Sequence, residues 1–110
     1  MSLRPGFSII IPTFNRAFCI CEAVDSVLMQ NYPDFELIVI DDGSSDGTDM
    51  LLKERYGAEM ACGRLKYLQS GHEGVSAARN KGLRAATREW AGYLDTDNRM
   101  CACLLYTSDA

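Results

Sequence analysis

Leu37-Ile38-Val39-Ile40-Asp41-Asp42-Gly43 and Trp90-Ala91-Gly92-Tyr93-Leu94-Asp95-Thr96-Asp97 share one plan, a short apolar run followed at once by carboxylates. Each run has the length and bulk of a buried strand. In an open α/β sheet the crevice beyond the carboxyl ends of the strands is where ligands bind. Two acidic clusters gathered there repel each other, so a divalent cation, or hydrogen-bond donors on a ligand, is expected between them.

Working outward, Phe7-Ser8-Ile9-Ile10-Ile11 is a β-branched run that should close as a central strand at Pro12, which cannot donate to a ladder. Ile20, Val24, Val27 and Leu28 recur on one helical face, with Asn31-Tyr32-Pro33 as the stop. A second strand runs from Phe35 to Ile40. The turn-rich Gly43 to Thr48 leads into a short helix through about Tyr56, which Gly57 should end. Arg64 to Gln69 reads as an edge strand. Val75, Ala78, Gly82, Leu83 and Ala86 then form the apolar face of a third helix before the strand Trp90 to Leu94. The order β-α-β-α-β-α-β predicts a mainly parallel, Rossmann-like α/β sheet with right-handed crossovers and helices on both faces.

A length of 110 residues suits one core and one domain. The chain is 47% hydrophobic and 24% charged, as in ordinary globular proteins, and its formal charge of −4 offers no basic footprint for nucleic acid. No apolar run approaches the roughly 18 residues of a membrane span, and the start lacks a signal-peptide layout, so a cytoplasmic location is expected, with the inner membrane face as an option for a longer protein. The five cysteines fit neither a zinc knuckle nor a C-x-x-C redox pair, and are read as reduced thiols, with a four-sulfur site from the two C-x-C pairs, Cys19/Cys21 and Cys101/Cys103, as the alternative.

Four blocks carry further meaning: Ser8-Ile9-Ile10-Ile11-Pro12-Thr13-Phe14-Asn15-Arg16, Leu37 through Thr48, Gly74-Val75-Ser76-Ala77-Ala78-Arg79-Asn80-Lys81-Gly82-Leu83, and Tyr93-Leu94-Asp95-Thr96-Asp97. Together, and in this order, they resemble the family 2 glycosyltransferases of GT-A fold. The resemblance spans residues 7–99 and implies the nucleotide-sugar half of such an enzyme, a truncated domain with the acceptor half missing. Residues 1–6 form an N-terminal extension. Residues 100–110 break the pattern, without helical period or cap, and are read as foreign to the fold.

The resemblance implies transfer of a sugar from a nucleotide-diphosphate donor, favouring a UDP-sugar, to an acceptor hydroxyl on a saccharide or lipid-linked acceptor, with inversion. It places Pro12 and Thr13 at the base pocket, Asp41 as acceptor of a hydrogen bond from the base, Asp95 near the ribose or metal, and Asp97 as metal ligand. The general base is expected beyond residue 110. Magnesium or manganese suits such oxygen ligands and would stabilise the departing diphosphate. Arg79, in the opening turns of its helix, lies where amides and the macrodipole favour a phosphate. Asn98 stands where relatives often carry another acid.

Ordinary readings stand beside these. Asp42 is either a nucleotide contact or a brace for its loop, and Asp46 is read as a turn or cap residue. Arg79 can equally belong to a solvated face with Arg84 and Arg88. His72, the one histidine, sits in a Gly-rich loop and is read as solvated. Ser70 and Glu73 have capping-box spacing, although the helix begins nearer Gly74. Two other functions share parts of the pattern. A magnesium-binding receiver module would place its acidic pair after the first strand, and a nucleotidyltransferase of related fold wants a Gly-rich loop there, where this chain has Pro12-Thr13-Phe14-Asn15-Arg16.

Overall fold

The computed structural model describes residues 6–29, 35–88 and 90–94. The elements run β1 (Phe7–Thr13), α1 (Ile20–Leu28), β2 (Phe35–Asp41), α2 (Thr48–Arg55), α3 (Gly57–Ala61), β3 (Leu65–Gln69), α4 (Val75–Ala85) and β4 (Trp90–Tyr93). The four strands form one parallel sheet in the order β3-β2-β1-β4. This is the Rossmann-like arrangement expected from the alternation of strands and helices.

Strand pleating divides the core in two. Ile9, Ile11, Leu37 and Val39 face α1 and α2, packing with Ile20, Val24, Val27 and Leu52. Ile10, Ile38 and Ile40 face α4, where they meet Ala78. The α4 contact is so close that a Cβ at Gly82 would lie 2.5 Å from Ile10 Cγ2. Glycine there sets how near the helix comes to the sheet.

Several details differ from the sequence reading. β1 does not close at Pro12 but continues to Thr13, paired with Ile40 and Asp41 of β2. Ile10 O accepts Leu94 N on the β4 side. Two residues on, Pro12 points its missing N–H the same way, beyond the last β1–β4 pair, Ile10–Tyr93. The proline therefore costs no ladder bond to β2. Gly57 does not end a helix; it opens α3, because Tyr56, whose N–H still bonds Leu52 O, breaks the helical dihedrals at φ −120°. Val75, expected on the buried face of α4, is half exposed (51%), since it leads the helix in before Ala78 and Gly82 reach the sheet. β3 lies at the sheet edge as expected.

A buried carboxylate ties the opposite end of the sheet together. Glu36, 1% exposed, accepts bonds at Oε2 from Ser8 Oγ (2.7 Å), Thr87 N (2.6 Å) and Thr87 Oγ1 (3.0 Å), while Oε1 pairs with Lys66 Nζ at 2.8 Å. Burial alone would raise its pKa, but Lys66, Ser8 and Thr87 outweigh that and bring it from 4.5 down to about 2. Three strands and the segment after α4 are thereby joined through one side chain.

Candidate functional site

The carboxyl ends of β1 and β2 finish level, with Thr13 paired to Asp41 and Asp41 to Gln69 of β3. The parity that splits the core also splits the acidic pair. Asp41 falls on the α1/α2 side with Thr13 and Tyr67, while Asp42 turns to the α4 side. Adjacent carboxylates thus acquire separate partners.

Asp41 is 1% exposed and firmly held. Its Oδ1 accepts the Ser44 amide at 2.8 Å and its Oδ2 the Tyr67 hydroxyl at 2.5 Å. Next to it, Thr13 is 4% exposed and its Oγ1 has no hydrogen-bond partner among the described residues. A buried hydroxyl left unpaired costs on the order of 1–3 kcal/mol. That hydroxyl stands beside the fixed Asp41 carboxylate at the level ends of β1 and β2.

Asp42 is spent within the protein. Its Oδ1 accepts from Ser70 Oγ (2.6 Å) and Glu73 N (2.8 Å), and its Oδ2 from Gly74 N (2.9 Å). Burial would raise its pKa, yet these three donors, with His72 nearby, hold it below the usual carboxylate range. The side chain serves as a cap for α4 supplied from another strand, because Gly74, at φ 102°, has no side chain to do so. Ser70 and Glu73 do not form a capping box with each other; both donate to Asp42.

The loops before α1 and α2 are zipped. Asn15, at φ 51°, donates its backbone N–H to Ser44 Oγ and accepts the Ser45 N–H on Oδ1, each at 2.8 Å. Asp46 bonds Thr48 Oγ1 at 2.6 Å within its own turn and also receives Ala17 N at 2.9 Å from the other loop. The local half of that arrangement was legible in the sequence; the cross-loop half was not. Asn15 carried a usable signal, since asparagine after a strand tolerates the left-handed region. Tyr67 and Gln69 carried none, because their relation to Asp41 depends on the β2–β3 register.

Of the other residues singled out, Pro12 is buried in β1, and Arg79 lies on the α4 side with Cζ 5.4 Å from the Tyr93 ring centroid. Arg79 and Asp41 therefore flank the strand ends from opposite faces of the sheet. His72 is exposed at φ 60°, its ring 4.5 Å from that of Phe14 and its Nδ1 3.4 Å from Asp42 O. Asp95, Asp97 and Asn98 lie outside the described residues. Among the described residues no three His, Cys, Asp or Glu side chains are grouped to hold a metal. Asp41 and Asp42 each accept hydrogen bonds from protein donors. No helix of the described residues is long and apolar enough to cross a membrane.

Residues 8–100 match the profile of Glycosyl transferase family 2. The chain belongs to that family. Family relatives include a GalNAc(5)-diNAcBac-PP-undecaprenol beta-1,3-glucosyltransferase of Campylobacter jejuni, 34% identical over 94% of this chain and 33% of the relative. An uncharacterized glycosyltransferase of Rickettsia felis is 37% identical over 83% of this chain and 14% of its own length. Among solved structures, the mannosyltransferase PcManGT of Pyrobaculum calidifontis, in complex with GDP-Man and Mn2+, superposes with a TM-score of 0.78 at 32% identity, covering 87% of this chain and 28% of that one. S. aureus TarS 1-349 in complex with UDP gives 0.73 at 31% identity, covering 84% and 27%. The chain thus spans between a seventh and a third of the curated relatives named here. Neither a receiver module nor a nucleotidyltransferase is favoured by these likenesses.

Proposed function

We propose that this chain is the donor-binding part of a nucleotide-sugar-dependent glycosyltransferase, and that the crevice at the ends of β1 and β2 takes the nucleotide of a UDP-sugar. The observation that carries this reading is the register pair Thr13–Asp41: a carboxylate immobilised by Ser44 and Tyr67, beside a buried hydroxyl that has no partner among the described residues. Family membership, and neighbours solved with UDP and with GDP-Man, support a nucleoside diphosphate as the ligand.

In this reading Asp41 accepts a hydrogen bond from the base, Thr13 supplies the hydroxyl, and Pro12 shapes the pocket by fixing the backbone beneath it. Asp42 contributes by bracing the loop into α4, which carries Arg79 toward the phosphates. Asp95 and Asp97 are the proposed ligands of a magnesium or manganese ion, which would neutralise the diphosphate as it leaves. An acceptor hydroxyl, on a saccharide or lipid-linked acceptor, would attack the anomeric carbon with inversion, its proton going to a general base.

Calorimetric titration with UDP in the presence of manganese tests the reading. The wild-type chain should bind, and Asp97→Ala should weaken binding at least tenfold, as expected for losing a charge-assisted metal ligand. Equal affinity in both, or none in the wild type, contradicts it.

A further inference from the structure

We propose that Tyr67 is a positioning residue of the donor crevice, locking the direction in which Asp41 presents its acceptor oxygens to a nucleobase ring N–H. The inference rests on the donor-site reading above and deepens it. Tyr67 pairs with Val39, so it lies one strand across from Asp41 and two residues short of it. With strands about 4.8 Å apart and a rise of about 3.3 Å per residue, that diagonal is roughly 8 Å. A tyrosine leaning along its strand bridges it, and its Oη meets Asp41 Oδ2 at 2.5 Å.

The hydroxyl is itself oriented. Gln69 Nε2, two residues along β3, donates to Tyr67 Oη at 3.2 Å, which occupies an oxygen lone pair and leaves the proton for Asp41. Lys81 Nζ of α4 bonds Gln69 O and steadies the strand end from the other side. Burial, then the Asp41 hydrogen bond, raise the Tyr67 pKa, so the phenol remains a donor across the neutral range. With Ser44 N on Oδ1, the carboxylate is held at both oxygens, and what each still offers is one lone pair of set direction.

A carboxylate so fixed is an acceptor only. It rewards uracil, whose ring nitrogen at the pairing edge carries a proton, and repels cytosine, whose ring nitrogen there is a lone pair. Holding the acceptor rigid makes that discrimination sharper than a freely turning carboxylate would.

Titrating the full chain with UDP and with CDP, manganese present, tests the assignment. Tyr67→Phe keeps the ring and should bind UDP about tenfold more weakly, as for loss of a hydrogen bond to a charged group, with CDP affinity unchanged. Gln69→Ala, exposed and outside the core, should show a smaller loss in the same direction and serves if Tyr67→Phe folds poorly. A second readout needs no ligand: in protein carrying 13Cζ-tyrosine, the Tyr67 resonance should titrate well above an ordinary tyrosine and return toward it in Asp41→Asn. UDP affinity unchanged or tighter in Tyr67→Phe, or a Tyr67 titration indifferent to Asp41→Asn, overturns this role while leaving the donor reading intact. Wild type that binds neither nucleotide overturns both.

Discussion

Glu36→Ala should destabilise the chain by about 3 kcal/mol, although Glu36 is far from the proposed donor crevice. Removing one partner of a buried ion pair typically costs about 3–5 kcal/mol. Lys66 is 35% exposed and can turn to water, which places the expected cost at the lower end. Thr87 N and Ser8 Oγ lose their acceptor at the same time. For a domain of this size the melting temperature should fall by roughly 12–20 °C. Glu36→Gln keeps an acceptor for Ser8 and Thr87 but loses the charge opposite Lys66, so about half the loss is expected. Acid should reproduce the effect. The folded pKa is depressed from 4.5 to about 2, so the stabilisation is complete above pH 4.5 and disappears as pH falls through about 2. That interval is worth about 3 kcal/mol, and Glu36→Ala should lack this part of the acid sensitivity. Thermal melts of both variants from pH 7 to 2 check it; parallel profiles would remove Glu36 from the account.

Asp42→Ala should cost about 2 kcal/mol and loosen one loop selectively. It removes the acceptor for Ser70 Oγ and for the Glu73 and Gly74 amides, the size of effect seen when a helix loses its N-cap. Hydrogen exchange at Glu73 and Gly74 should accelerate by more than tenfold while the amides of β1 and β2 stay protected. Asp42→Asn, with one acceptor oxygen left, should fall between. Because the folded pKa of Asp42 is also depressed, wild-type protection of these amides should persist above pH 4 and fade as pH drops below it. Uniform exchange in all three proteins would mean that the loop is held by something else.

Much of this fold could be read from the chain because its strands are β-branched runs bounded by turn residues, and its helices carry an apolar period. Ile9 to Ile11 and Leu37 to Ile40 could hardly be anything but central strands. The errors fell where tertiary register overrides local rules. Pro12 stays in β1 because its missing N–H faces away from β2, and Gly57 starts a helix because the break occurs one residue earlier, at Tyr56.

The site was legible in part for the same reason. Asp41 stood out as a carboxylate at a strand end and Thr13 through the family resemblance, and the structure pairs them. That Asp41 and Asp42 diverge follows from pleating, and Ser44 reaches Asp41 within the same turn, but Tyr67, Ser70, Glu73 and Gly74 lie 26 to 32 residues further on and are unspecified locally. Tyr67, Gln69 and Glu36 look like unremarkable strand residues in the sequence. Their roles emerge only once parallel register sets Tyr67 diagonal to Asp41 and Ser8 beside Glu36. Asp95 and Asp97 lie outside the described residues, so their proposed role comes from the family alone.

Two-dimensional NMR of the 15N-labelled chain during titration with UDP and magnesium shows where the nucleotide sits. Saturable shifts should concentrate at Thr13, Asp41 and Ser44, around the ends of β1 and β2, and at Tyr67 of β3 beside them, with the Ser8 and Glu36 end of the sheet unmoved. Shifts confined to that opposite end, or none at millimolar nucleotide, would contradict the donor-site reading.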